Sequence, residues 1–189
     1  MSKTLISIDP GKSSGVSVGT YSDTEPYKLT HAFQIEGGVE GFIGKVSSYF
    51  TESRCPENRL EIFDEVYDAE EIGKSVNVII EKFTARGAGN AFSYRTDALE
   101  ALRVEGAILA MGIDPIWRSP QHMYFMVPSG FKGNKKSLSH KWLKDNGLYV
   151  APKEVGCKDA DDVRSSILHA VSWLRSIGHK PTLEKYFKG

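Results

Sequence analysis

Cysteine is scarce in this chain: Cys55 and Cys157 are the only two in 189 residues, far apart and with no Cys-x-x-Cys spacing. This argues against a disulfide framework and against a thiolate zinc site, which needs about four soft ligands. Both cysteines read as free thiols in a reducing compartment. Long apolar runs are also missing, and none approaches the ~20 residues that cross a bilayer. Met1-Ser2-Lys3-Thr4-Leu5 leads directly into a strand-like pattern without a signal-peptide layout. The expectation is a cytoplasmic protein, neither secreted nor membrane-bound. Excess charge of one sign is absent too, with 24 Lys and Arg balancing 24 Asp and Glu. Composition alone therefore does not announce a nucleic-acid binder. There is no internal repeat and no low-complexity tract. The 40% hydrophobic and 25% charged content suits one globular domain over 1–189, with a tail after about residue 178 that reads as loosely packed.

The neutral total hides two opposed segments. Lysines at 132, 135, 136, 141, 144 and 153 face a single acid, Asp145, while 57–71 carries seven acids against Arg59. A local basic surface is enough to steer a phosphate backbone. Alternation of apolar residues predicts strands over 3–9, 16–20 and 27–35, an N-terminal meander. Val39, Phe42, Ile43, Val46, Tyr49 and Phe50 recur at helical spacing. Val76 to Phe83 reads as a central strand and 115–117 as a further short one. A second helix ends at Gly112, a third at Asn146-Gly147, and a final helix runs roughly over 159–177. Residues 84–93 read as a loop, and 52–73 takes no firm assignment. Strands followed by alternating helix and strand give an α/β class: a mixed sheet, antiparallel meander plus parallel strands, flanked by helices.

Four carboxylates stand out in that frame. Asp9 ends the run Leu5-Ile6-Ser7-Ile8, at the carboxyl edge where open α/β sheets place ligands. Asp-Pro-Gly is equally good turn chemistry. Glu81 closes Val78-Ile79-Ile80 inside a strand, where Glu is disfavoured unless it is partnered or at an edge. Asp159 and Asp162 lie three apart and share a helix face, although acids in a first turn also suit the helix dipole. Oxygen ligands converging from separate elements are what a two-metal phosphodiesterase site requires. His169, seven residues after Asp162, shares its face. It reads as a neighbour of the site or as a packed helix histidine.

In order along the chain, Ile6-Ser7-Ile8-Asp9-Pro10-Gly11 with Ser14-Gly15-Val16, Ile79-Ile80-Glu81-Lys82-Phe83, Leu102-Arg103-Val104-Glu105-Gly106-Ala107-Ile108, Gly133-Asn134-Lys135-Lys136 with His140 and Leu143, and Asp159-Ala160-Asp161-Asp162 resemble the RuvC family of Holliday-junction resolvases, within the RNase H-like superfamily. The resemblance spans nearly the whole chain and looks like a divergent viral or organellar-type member. It implies an RNase H-like sheet and an endodeoxyribonuclease that resolves four-way junctions. It also implies two Mg²⁺ ions per site, replaceable by Mn²⁺, held by Asp9, Glu81, Asp159 and Asp162. The chain departs from the pattern at Asp161, where the family has a small residue. Asp161 and His169 are then supporting residues beside the metal ligands.

Lys82, Phe83 and Arg86 lead from Glu81 into the glycine-bearing loop and suit DNA contact, with Phe83 either stacking on bases or packing in the core. Tyr94 and Arg95 lie on the same loop. Lys132, Lys135, Lys136 and Lys141 suit phosphate contacts, which position DNA without reading sequence. The expected substrate is branched DNA, a four-way junction or alternatively forks and flaps. A broader nuclease and a non-cleaving binding module remain the competing readings. The two-fold symmetry of a junction implies a homodimer, for which the 97–111 helix, with Val104 off its Leu99–Leu102 face, is the candidate interface.

Overall fold

The computed structural model describes residues 1–46, 59–62, 65–68, 74–83 and 96–187. A five-stranded sheet forms the centre, built from β1 (Lys3–Asp9), β2 (Ser13–Tyr21), β3 (Lys28–Glu36), β6 (Val76–Glu81) and β7 (Ile116–Arg118). Their order across the sheet is β3-β2-β1-β6-β7. The first three strands pair antiparallel, and β6 and β7 join parallel. This is the mixed sheet that the alternation of the sequence implies. Strands β4 (Arg59–Ile62) and β5 (Glu65–Asp68) make a separate antiparallel pair within the acidic segment that took no assignment from sequence.

Side chains alternate across the sheet and build two cores. Ile6, Ile8, Val78 and Ile80 face one way, onto Phe42 of α1 (Gly38–Val46) and Val104 and Ile108 of α2 (Thr96–Ala110). Leu5 and Ile79 face the other way, onto Val163, Ile167, Ala170 and Leu174 of α4 (Asp161–Ser176). Helix α3 (Lys135–Asp145) adds Leu143 to that second core; it is N-capped by Asn134, whose side chain accepts from the Ser137 amide. Asp9 is in phase with Leu5 and Glu81 with Ile79, so the same period of two aims both acids at the α4 side.

Two expectations need correction. Residues 179–187 are not a loose tail. Helix α5 (Lys180–Tyr186) packs with Thr182 and Tyr186 buried. Thr182 Oγ1 accepts from the Tyr27 amide at 2.9 Å, and Tyr186 Oη donates to the Tyr27 carbonyl at 2.8 Å. Both partners lie more than 150 residues upstream, so local polarity says nothing about them. Val104 does lie away from the exposed Leu102, but it is fully buried and so is no interface residue. Among its described residues α2 exposes two large apolar side chains, Leu102 and Leu109, seven apart and hence on one face. No helix among the described residues is long and apolar enough to cross a membrane.

Candidate active site

The polar centre forms where α4 begins against the ends of β1 and β6. Strands β1 and β6 run parallel, with Ile8 beside Ile80, so Asp9 and Glu81 occupy the next position of neighbouring strands. Helix α4 supplies Asp162 from above. Its approach depends on small residues on the facing side of β1 and β2: Ser7, Gly15 and Ser17. Gly15 pairs with Asp9 across the sheet. A Cβ at Gly15 would lie 2.0 Å from the Asp162 carbonyl carbon and 2.2 Å from its oxygen. The missing side chain is therefore what lets the start of α4 sit beside Asp9.

Asp9 lies within electrostatic reach of both Glu81 and Asp162. Burial first, then the charges of Glu81 and Asp162, hold the Asp9 carboxyl well above the usual carboxylate range. Burial, with Asp159 and Asp161 adding repulsion, pushes Asp162 up to about 6. Lys136 opposes the shift at both acids, and a hydrogen bond from Ser165 favours ionised Asp9. Glu81 accepts from a fully buried His169, Oε2 to Nε2 at 2.5 Å; His169 Nδ1 has no partner among the described residues. The histidine is thus the neighbour that fixes Glu81, and Lys82 is exposed to solvent. Asp162, Ser165 and His169 follow at i, i+3 and i+7, one polar stripe on an otherwise apolar helix face.

Asp159 stands differently. Its side chain is 66% exposed and binds Arg164 Nη2 at 3.1 Å through Oδ1, which also accepts from the Asp161 amide at 3.0 Å. Asp161 receives Lys136, His140 Nε2 at 3.3 Å and Arg164 Nη2 at 3.0 Å. Among the described residues no three His, Cys, Asp or Glu side chains gather closely enough to enclose an ion. The donor chemistry nevertheless fits a hard cation: oxygen donors alone, mutually repelling, with Lys136 as the nearby positive charge that both Asp9 and Asp162 feel. Cys157, a free thiol whose Sγ donates to the Asp159 carbonyl at 2.8 Å, adds no soft ligand to that set.

Of the DNA-contact candidates, Lys82, Lys132, Lys135, Lys136 and Lys141 are exposed and Phe83 is half-buried. Lys141 pairs with Asp145 at 2.6 Å on its own helix, and Lys135 lies over the Tyr124 ring, 5.9 Å from its centroid. Arg86, Tyr94, Arg95 and Cys55 lie outside the described residues. Reading the sequence missed Ser165, Arg164 and Glu105. Ser165 follows from the same helical register that selects His169. Glu105 is a buried carboxylate on α2 that accepts from the Phe83 amide at 2.5 Å and so holds the end of β6. Nothing in its local pattern distinguishes it from a solvated helix acid.

The raised Asp162 gives a stability prediction for the metal-free protein. A carboxyl whose folded pKa exceeds its unfolded value near 4 binds more protons when folded. The contribution of Asp162 to stability is then most favourable below about pH 4 and falls as pH rises toward about 6. Asp162→Asn removes that penalty. In chelator it should gain on the order of 2 kcal/mol over wild type at about pH 7.5 and little at about pH 4, read by urea denaturation. An equal difference at both pH values would mean that the ionisation of Asp162 is not the cause.

No family model and no curated protein matches the sequence. Solved structures do match. The crystal structure of the yeast mitochondrial Holliday junction resolvase Ydc2 superposes with a TM-score of 0.53 at 14% identity, over 97% of this chain and 84% of that one. Thermus thermophilus RuvC gives a TM-score of 0.49 at 14% identity, over 93% of this chain and 97% of that one. RuvC from the same organism in complex with a Holliday junction substrate gives 0.48 at 13%, over 94% and 97%. At this identity the likeness to Ydc2 shows a shared fold, the mixed sheet flanked by helices.

Proposed function

We propose that the protein is a divalent-metal-dependent endonuclease that resolves four-way DNA junctions. One observation carries this reading. Asp9, Glu81 and Asp162 converge from two parallel strand ends and a helix start, beside a lysine-bearing helix, in a fold shared with a Holliday junction resolvase. Asp9, Glu81 and Asp162 would hold Mg²⁺ or Mn²⁺, with Asp159 at the rim as the outermost acid. When bound, the cations supply Lewis-acid stabilisation of the phosphate and of the attacking water. The chain's own residues do the rest. Ser165 orients Asp9, and His169 orients Glu81, as partners of ligands commonly do. Lysines of α3 and Lys82 hold the backbone without reading bases. A homodimer would present two such sites to a two-fold junction, and the exposed Leu102–Leu109 face of α2 is the surface we assign to it.

The test is cleavage of end-labelled four-way, forked, flapped and linear DNA. Mg²⁺ and Mn²⁺ should support paired cuts in the four-way substrate. Ca²⁺ should support binding with little cutting, because its looser coordination positions an attacking water poorly. Equal cutting of all branched forms would favour the broader nuclease. Turnover in excess chelator would overturn the metal reading, and binding without any cutting would favour the non-cleaving module.

A further inference from the structure

Helices α3 and α4 are joined at their starts by charge. Asp161 opens α4, in the position where the resemblance expects a small residue. Its carboxylate takes the Lys136 ammonium from the first turn of α3, along with His140 and Arg164. The partners are not equivalent. Arg164 is 5% exposed and is met independently by Asp159, the Tyr149 hydroxyl and the Ala160 carbonyl. Lys136 is 52% exposed. An ion pair with a lysine so open to solvent contributes about 0–1 kcal/mol and breaks readily. The buried guanidinium is thus the fixed partner of Asp161, and the lysine is the exchangeable one.

We propose that Asp161 competes with the DNA backbone for Lys136, acting as an internal brake on DNA binding. This rests on the nucleic-acid reading above. A lysine that neutralises a phosphate releases counterions and strengthens binding, but Lys136 contributes only after it leaves Asp161. DNA that reaches the carboxylate site exchanges one anionic partner of Lys136 for another. The brake is weak by construction, since the lysine it must release is half-exposed to solvent.

The experiment is a double-mutant cycle on DNA affinity, by fluorescence anisotropy in chelator across a salt series, with wild type, D161N, K136A and the double variant. D161N should bind about two- to fivefold tighter, with the slope of log K against log salt steeper by up to about one. In the K136A background the same change should lose most of its effect. An equal gain in both backgrounds would mean a general charge effect and would overturn the brake; so would no gain at all. Asn keeps an acceptor for Arg164, and D161S run beside it with a melting measurement guards against a folding defect. Amine acylation of Lys136 supplies a readout without DNA. Its reactivity should rise in D161N, and unchanged reactivity would refute the contact. If no form binds DNA, the nucleic-acid reading itself fails, whereas wild-type binding unaltered in D161N refutes only the role of Asp161.

Discussion

Asp9→Asn, Glu81→Gln and Asp162→Asn should each lower junction cleavage by about 10³-fold or more while leaving DNA binding intact. Removing one oxygen donor forfeits several kcal/mol of charge stabilisation in the transition state. At 1.36 kcal/mol per decade that is about three decades of rate. Binding should hold or tighten in chelator, because each change removes an anion from a surface meant for phosphates. Asp159→Asn should cost less than any of the three, since that carboxylate is largely solvated and already engaged by Arg164. Single-turnover cleavage and anisotropy on the same four-way DNA separate the two effects. A variant at Asp9, Glu81 or Asp162 that cuts at near wild-type rate would remove that residue from the site. Loss of binding in parallel with cutting would point to misfolding, which a melting curve identifies.

What was legible in the sequence is what short range dictates. Alternation in Leu5-Ile6-Ser7-Ile8-Asp9 is enough to place a strand and to aim its acid. Gly112 and Gly147, at φ of 74° and 68°, end α2 and α3 where their left-handed backbone requires glycine. The spacing of Asp162 and His169 puts both on one face of α4, and the contact with Glu81 follows from it. What was not legible is long range. The docking of α5 depends on Tyr27, and the fate of Asp161 depends on a lysine 25 positions earlier. Val104 shows a subtler failure. Apolar residues wrap α2 widely enough that a wheel centred on Leu99 and Leu102 selects the wrong face; only the packing of Val104 and Ile108 onto Ile6, Ile8 and Ile80 decides it.

Gly15 carries the other large effect, and it does so without any chemistry of its own. Gly15→Ala would force a methyl group into the Asp162 peptide, at 2.0 Å from the carbonyl carbon. That obstacle is backbone and not a flexible side-chain end, so the start of α4 must retreat from β2 by more than an ångström to restore contact distance. Overpacking of this kind costs about 1–3 kcal/mol of stability. A displacement of about 1 Å at a positioned catalytic group costs about 10²-fold in rate. The expected result is therefore a folded protein, melting lower, whose cleavage falls by about 10²-fold or more while its α3 lysines still bind DNA. Gly44 on α1 is the matched control, because a Cβ there meets nothing within 4 Å. Gly44→Ala should leave cleavage unchanged and add about 0.5–1 kcal/mol through better helix propensity. Full activity in Gly15→Ala would show that α4 need not approach β2 this closely, and with that the placement of Asp162 beside Asp9 would fall.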